Sequence, residues 1–498
     1  MKNISLLNSA AAHWAAMEQF RSRRERAKRY CYGRQWDDIV EVDGRKMSEE
    51  EYIRSQGNIP LKNNLIRRLV RSVLGVFRNQ YSYPSAGDLH LDPESAEDAA
   101  LYNRMVLNAD FNRSAELHAR TMEEFLISGL AVHRKSTSPL TLLQIPDRAA
   151  GSLRSDYVSP ESFFVDSAAR DFRGWDIRII GQIHDLDFAS VCAAFVRNEE
   201  DLQRLREIYL ISSDYSPAEI HPSAGGFGDF NSTSLRNFLS PSTPGMLRVI
   251  EVWTRTSLPR YRVHNRLSGE IFKIEAADKS FYESREGLSF SMIMDDVWHY
   301  HYLSPGGDIL ATGLSPIPGG GHPYVWKGYP FIDGEIHSFV SDVIDQQRHT
   351  NRLITLYDWV LRSTAKGVLL FPESALPEGV EIDDISDQWS RFNGVILFRP
   401  KAGVALPQQV TGNASNVGIT DLLNIQLRMF EDVSGVSSAL EGKLSSGSVS
   451  GTLYDRQTRQ AMIALLDILE SYNSFIRESA LLDMRLLTTT KTPTRKKC

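Results

Sequence analysis

Few residues in this chain have the type and spacing that chemistry demands. Gly435 and Gly442–Lys443 invite comparison with a phosphate-binding loop, in which backbone N–H groups cradle phosphate and a Ser or Thr after the lysine holds magnesium. Six residues separate the glycines and Leu444 follows the lysine, so the pattern fails. Gly225, Gly226 and Gly228 lack the strand-to-helix setting of a dinucleotide fingerprint. His299 and His301 would share one face of a strand, a spacing that can bind metal. With no cysteine or third histidine clustered nearby, they read as a sheet surface or a subunit contact. Asp295–Asp296 and Asp383–Asp384 read as turn-like, fit to cap helices or line a polar surface; a two-metal nuclease needs several converging carboxylates, which spacing does not supply. No nucleophile elbow, zinc-protease helix or kinase signature occurs. The expectation is a non-catalytic chain without cofactor or metal.

The elements that would carry these residues mix helices and sheet. RSRRERAKRYCYGR, from Arg21 to Arg34, is a basic helical stretch flanked by Phe20, Tyr30, Tyr32 and Trp36; it reads as a solvated helix face, with contact to a polyanion or an acidic neighbour as the alternative. After Asn63–Asn64, the residues Leu65, Ile66, Leu69, Val70, Val73 and Leu74 recur at helical spacing to about Gln80. Helices follow at about 93–108 and 114–128, the latter stopped by Gly129. Strand character appears at 157–158, 163–165 and 177–180, and a helical segment at 187–210. Residues 212–244 read as a long Ser/Gly/Pro loop. Strands are expected at 247–254, 261–265, 270–274 and 297–303, forming a small β-rich module.

Gly334 then introduces a long helix from Glu335 to Arg362, whose inward stripe Ile336, Phe339, Val340, Val343, Ile344, Gln347, Asn351, Ile354, Tyr357 and Leu361 is interrupted by two amides. Buried amides cost stability unless bonded, so they are expected to fix the register of a packed contact. Strands at 367–371 and 394–398, a helix at 420–432, a Gly/Ser tract at 434–450, a last helix at 451–487 and a short basic tail complete the chain.

At 498 residues the chain exceeds one core, and 42% hydrophobic with 24% charged residues excludes disordered, collagen-like and membrane classes. The first eighty residues hold sixteen Lys and Arg against nine Asp and Glu, yet the whole carries −6. An acidic total argues against coating nucleic acid by bulk charge. Three scattered cysteines, Cys31, Cys192 and Cys498, suggest a reducing compartment rather than a disulfide framework. The first residues lack the apolar run of a signal peptide, and no stretch is long and apolar enough for a membrane span.

In order, six segments resemble the portal proteins of tailed bacteriophages: YCYGRQW (Tyr30 to Trp36), NNLIRRLVRSVLGVFRNQYSYP (Asn63 to Pro84), MEEFLISGLAV (Met122 to Val132), YVSPESFFVDSAARD (Tyr157 to Asp171), IDGEIHSFVSDVIDQQRHTNRLIT (Ile332 to Thr355) and SGVSSALEGKLSSGSVSGTLYDRQTRQA (Ser434 to Ala461). The resemblance implies an α+β, multi-part subunit with a wing of mixed α/β structure, long stem helices, a small β-rich clip and a short helical crown. It divides the chain into a wing region with a descending stem segment (1–245), a clip-like module (246–332), a stem-like helix (333–366), a wing continuation with a tunnel-loop-like tract (367–450), and a last helix with short crown and tail (451–498). It further implies a ring, usually of twelve copies, at one capsid vertex of the virion, assembled in the host bacterial cytoplasm. Double-stranded DNA would pass through it transiently and without sequence preference. The implied protein partners are the terminase large subunit, the head–tail connector or adaptor, and the major capsid and scaffolding proteins, with no membrane. Lys443, the only cation between Val433 and Ser450, with Ser445, Ser446 and Ser448, falls on the tunnel-loop-like tract. Asp345, Gln347 and Asn351 fall on the stem-like helix as candidates for inter-subunit contact. The chain departs from larger relatives in its short tail after the last helix. A nuclease or packaging ATPase, or another head–tail structural protein, are the competing readings.

Overall fold

The computed structural model describes residues 2–92, 94–136, 153–211, 232–266, 268–283, 285, 287–317, 319–366, 368–372, 381–390, 396, 406–410, 418–436 and 451–489. The chain is mixed α/β and folds as two compact units. One comprises Met1–Lys28, Val70–Ser341 and Ala439–Cys498; the other comprises Arg29–Leu69 and Asp342–Ser438. All but residue 396 of the expected strand at 394–398, the glycines at 225–228 and the tract from 437 to 450 lie outside the described residues.

The chain begins with α1 (Ile4–Ala16) and α2 (Glu18–Cys31), then a hairpin of β1 (Ile39–Val42) and β2 (Arg45–Ser48). Next come α3 (Glu49–Ser55), α4 (Leu65–Gln80), α5 (Ala96–Phe111) and α6 (Ser114–Ser128). Helices α4 and α6 lie where the apolar spacing places them, whereas α5 starts and ends three residues later than expected and α1 and α3 are additional; Leu65, Ile66, Leu69, Val70, Val73 and Phe77 form one buried stripe on α4. Helix α6 stops at Gly129, which takes the left-handed conformation that an L side chain resists.

Strands β3 (Leu130–Ser136), β4 (Arg154–Tyr157), β5 (Phe163–Val165) and β6 (Ile179–Leu186) follow, then α7 (Phe188–Phe195) and α8 (Glu199–Arg206). Within the segment read as a loop, Ser232–Leu239 is a helix, α9; its Phe238 is fully buried against Trp14 and Phe164, and that packing outweighs the polar sequence. The sheet then continues with β7 (Leu247–Asn265), β8 (Ile271–Glu275), the short α10 (Lys279–Glu283), β9 (Leu288–Leu303), β10 (Ile309–Leu314) and β11 (Tyr324–Gly328).

Six strands form one antiparallel sheet in the order β10-β9-β7-β6-β5, with β8 on the far half of β7. The two strands expected at 247–254 and 261–265 are therefore one, and the strand expected at 297–303 begins at Leu288. Strand β7 pairs along its first half with β6, so the β-rich segment shares its sheet with strands that precede it. Gly181 on β6 fits this pairing because a side chain there would collide with the Glu251 carbonyl and the Phe164 ring. A second sheet, β11-β3-β4, lies in the same unit.

The two sheets are joined by a buried ion pair. Arg134 of β3 meets Glu251 of β7 at 3.0 Å. Glu251 also accepts from Trp253 Nε1 (2.8 Å) and contacts His184 Nε2 (2.8 Å), while Arg134 donates to the Tyr302 hydroxyl (3.1 Å). Burial would raise the Glu251 carboxyl, but Arg134 and His184 overcome it and hold it at about 2.

A tight hairpin of β12 (Phe331–Ile332) and β13 (Glu335–Ile336) ends this part of the chain. Its loop residues Asp333 and Gly334 both have positive φ, as the two-residue type I′ turn requires. This turn overrides the expected helical start at Glu335: helix α11 spans Ile344–Lys366, after a single 3₁₀ turn at Ser341–Val343. Beyond it lie β14 (Val368–Leu370) paired with β15 (Gln408–Val410), α12 (Ile382–Ser390), α13 (Ile419–Ser434) and α14 (Gly451–Thr489). Helix α14 buries Leu465, Leu469, Tyr472 and Ile476 at the expected spacing. It is pinned to the first unit by Lys135–Asp483 (2.9 Å) and by Tyr472 donating to the His118 carbonyl (2.6 Å).

Under α14 two buried histidines, His118 and His133, stand 5.1 Å apart with Phe475 packed on both. Burial, with Lys135 adding to it, pushes His118 down to about 3, and burial pushes His133 well below its usual range. Both are neutral when folded, whereas the unfolded chain takes up their protons near pH 6.5. Stability must therefore fall as pH drops from about 6.5 towards 3, by at most about 1.4 kcal/mol per pH unit for each histidine. His118→Phe, which keeps an aromatic ring in the site, is expected to flatten that slope by about one proton. Urea midpoints measured from pH 7 to pH 4 check this.

Candidate functional site

The second unit holds the amides singled out on the long helix. Gln347, Asn351 and Thr355 lie one turn apart on one face of α11. Gln347 Oε1 accepts the N–H groups of Leu65 (2.8 Å) and Ile66 (3.2 Å), and Nε2 donates to the Asn63 carbonyl (2.7 Å). Asn351 Oδ1 accepts from Asn63 N–H (3.0 Å) and from Gln347 Nε2 (3.0 Å). Thr355 Oγ1 accepts from Leu61 N–H (3.1 Å). Three side chains on successive turns thus bond the main chain of residues 61–66, running antiparallel to α11.

This arrangement answers a helix-end problem. The first N–H groups of a helix have no partner within it. At the start of α4, Asn64 Oδ1 accepts from Arg67 N–H (2.9 Å) and Gln347 serves two more donors. Asn351 Nδ2 passes the network to Gln35 Oε1 (2.7 Å), and Gln35 Nε2 donates to the Tyr30 carbonyl (2.9 Å) and to Asn64 Oδ1 (3.0 Å). Gln347 is 0% and Asn351 1% exposed. The sequence expectation puts these amides at a subunit boundary; the structure gives their hydrogen bonds to the same chain, and the register they hold is between α11 and the approach to α4. Asp345 stands apart, exposed in the first turn of α11. Lys443, Ser445, Ser446 and Ser448 lie outside the described residues.

Beside the ladder is a charged cluster that sequence reasoning did not single out. Glu49, at the start of α3, is buried and accepts from Arg348 (3.0 Å to Nη2) and Arg352 (2.7 Å to Nε). The arginines follow the i, i+4 spacing of α11, but nothing marks a glutamate some three hundred positions earlier as their partner. Next to them opens a groove of about 510 Å³. Trp36, Val40, Val42 and Tyr52 line it together with Arg352, Leu356 and Trp359 of α11.

The remaining candidates find local partners. Along the basic stretch, Arg21 lies 3.9 Å over the Trp14 ring, Arg24 pairs with Glu124 (2.6 Å), Arg29 with Asp38 (3.4 Å) and Arg34 with Asp37 (2.7 Å). Much of its charge is balanced within the chain rather than left on a solvated face. His299 and His301 stack on β9, and His301 bonds Thr312 (2.8 Å). Asp295 and Asp296 are not in a turn: they sit in β9, where Arg260 of β7 (3.0 Å) and Lys273 of β8 (2.5 Å) neutralise Asp295. Asp383 and Asp384 occupy the first turn of α12, where the helix dipole favours negative charge. Among the described residues no group of three or more His, Cys, Asp and Glu could hold a metal ion, and no helix is long and apolar enough to cross a membrane.

Removing the Gln347 amide would strand two buried donors and one carbonyl. Gln347→Ala is expected to cost about 2–4 kcal/mol, more than the roughly 1 kcal/mol of an ordinary hydrogen bond, because unsatisfied groups remain buried. Gln347→Glu keeps the acceptor for Leu65 and Ile66 but sets a carboxylate against the Asn63 carbonyl, so it should not rescue. Denaturant unfolding of both variants decides between a structural ladder and an incidental one.

A hydrogen-bonded frame, a salt-bridged carboxylate and an apolar groove hold shape and present surface. This agrees with the comparison to known families, where the chain matches the model of the phage P22-like portal proteins over residues 7–483. No curated protein matches it. With the match running over nearly the whole length, through both folded units and their shared boundaries in sequence, the chain belongs to the phage P22-like portal protein family.

Proposed function

We propose that this chain assembles as a ring, of about twelve copies, at one vertex of a phage capsid and is the conduit for genome packaging and ejection. The observation that carries the reading is the family match from residue 7 to residue 483. In this reading the ring docks the terminase large subunit during packaging and the head–tail connector afterwards. It also contacts the major capsid and scaffolding proteins as the particle assembles in the host cytoplasm. The far half of the β7–β9 ribbon, with β8 and α10, belongs to the clip-like segment 246–332. Helix α11 is the helical part of the stem-like segment 333–366, and α14 lies in the last segment, 451–498.

Charge supports a conduit over a tight binder. Each copy carries −6, so twelve sum to about −72. Each fixed phosphate contact slows sliding, and an acidic ring keeps such contacts few. The internal pairing of Arg24, Arg29 and Arg34 points the same way, since these cations already have carboxylate partners.

End-on electron micrographs of the purified protein are expected to show rings of about twelvefold symmetry with a hole wide enough for duplex DNA. A compact monomer or dimer at concentrations where rings form would refute the reading. Within it, Lys443 is the cation nearest to passing phosphate, with Ser445, Ser446 and Ser448 supplying weak, sequence-independent contacts. Lys443→Glu is expected to lower the yield of full-length packaged DNA more than Lys443→Ala does. Wild-type packaging and retention by both would remove Lys443 from the DNA path.

A further inference from the structure

The outer surface of the second unit carries an apolar ridge that nothing in the described chain covers. On α13, Leu422, Ile425, Met429 and Val433 recur at intervals of three, four and four residues, and each is about half exposed (52, 49, 51 and 49%). The helix buries a different face, with Gln426, Phe430 and Ser434 turned inward. A surface helix ordinarily presents polar side chains outward, and a continuous apolar stripe at heptad-like spacing is the pattern of a helix that packs against a partner.

The same unit also carries a matching concavity. The groove beside Glu49 is walled by Trp36, Tyr52, Leu356 and Trp359, and its length of α11 presents Leu356 and Trp359 at 44% and 49% exposure. Ridge and groove use different faces of α11: α13 meets it through Gln426 on the Gln346 carbonyl, while Arg352, Leu356 and Trp359 line the groove. Both can therefore be engaged at once. Charge is complementary as well. Asp421 and Asp432 are exposed on α13 beside the ridge, and Arg352 in the groove lining, though bonded to Glu49, keeps half of its side chain in solvent.

We infer that the occupant of the groove is a second copy of this chain, whose α13 ridge seats among Trp36, Tyr52, Leu356 and Trp359. One unit bearing two different complementary surfaces makes a head-to-tail contact, the kind that closes into a ring when the rotation permits. An isologous dimer would instead bring one surface onto itself. The inference rests on the ring reading above and names the surfaces that build the ring.

The test compares wild-type protein with Ile425→Glu/Met429→Glu by native mass spectrometry and end-on micrographs, with circular dichroism as the check on folding. Two carboxylates placed in an apolar contact without partners should cut the fraction of chain in rings by about tenfold or more, with the monomer spectrum unchanged. Rings as abundant as wild type from the folded variant would overturn the inference and leave the ring reading standing. Absence of rings from the wild type itself would overturn both. Leu356→Cys/Met429→Cys supplies a second measurement that does not depend on the acidic variant folding. Under mild oxidation it is expected to give a ladder of covalent multiples on a non-reducing gel, with neither single variant doing so; monomer alone from intact rings would place the contact elsewhere.

Discussion

A buried hydrogen-bonding group must find a partner or cost the fold about 1–3 kcal/mol, and more when it is charged. In each unit this obligation fixes how distant segments meet. In the first unit, Arg134 and Glu251 are both buried, one on each sheet, so the sheets can pack only where guanidinium and carboxylate coincide. Removing either partner would leave a bare charge inside, whereas the intact group, completed by His184, Trp253 and Tyr302, satisfies every member. In the second unit the obligation falls on the main chain. Residues 61–66 arrive with N–H groups that no regular structure can serve, and Gln347, Asn351 and Thr355 serve them. The apolar stripe of α11 is interrupted because its interruptions are the attachment points.

How much of this the sequence shows follows from the range of the interactions. Helices set by their own apolar period, such as α4, α6 and α14, are readable because the signal lies within a few turns. The start of α11 is hidden by a stronger local signal: Asp333–Gly334 after Phe331–Ile332 is a hairpin turn, and it takes Glu335 and Ile336 into a strand. The extent of β9 was hidden by Asp295 and Asp296, whose charges suggest a turn until Arg260 and Lys273 are seen across the sheet. Gln347 and Asn351 stood out because amides on an apolar face need an explanation, but their partners lie some 280 positions away. No spacing rule pairs Glu49 with Arg352 either. The family resemblance was legible from segment order even where individual contacts were not.

The distribution of satisfied and unsatisfied surface then separates folding from assembly. Inside the second unit Gln35, Asn64, Gln347 and Asn351 are matched to one another and to the main chain in one network, and such networks specify a single arrangement. Outside, the same unit leaves leucine, isoleucine, methionine and tryptophan side chains half exposed on α11 and α13. A chain built this way holds its internal register by itself, because every ladder bond is made within the chain. Its apolar surfaces gain from association but carry little directional information of their own. Geometry must therefore come from the rigid frame beneath them, and α11 is that frame: it carries the ladder on one face, Gln346 under α13 on a second and the groove wall on a third. A change at Gln347 that loosened the ladder would be felt at the outer faces through the tilt of this one helix, although both amides are buried within the chain.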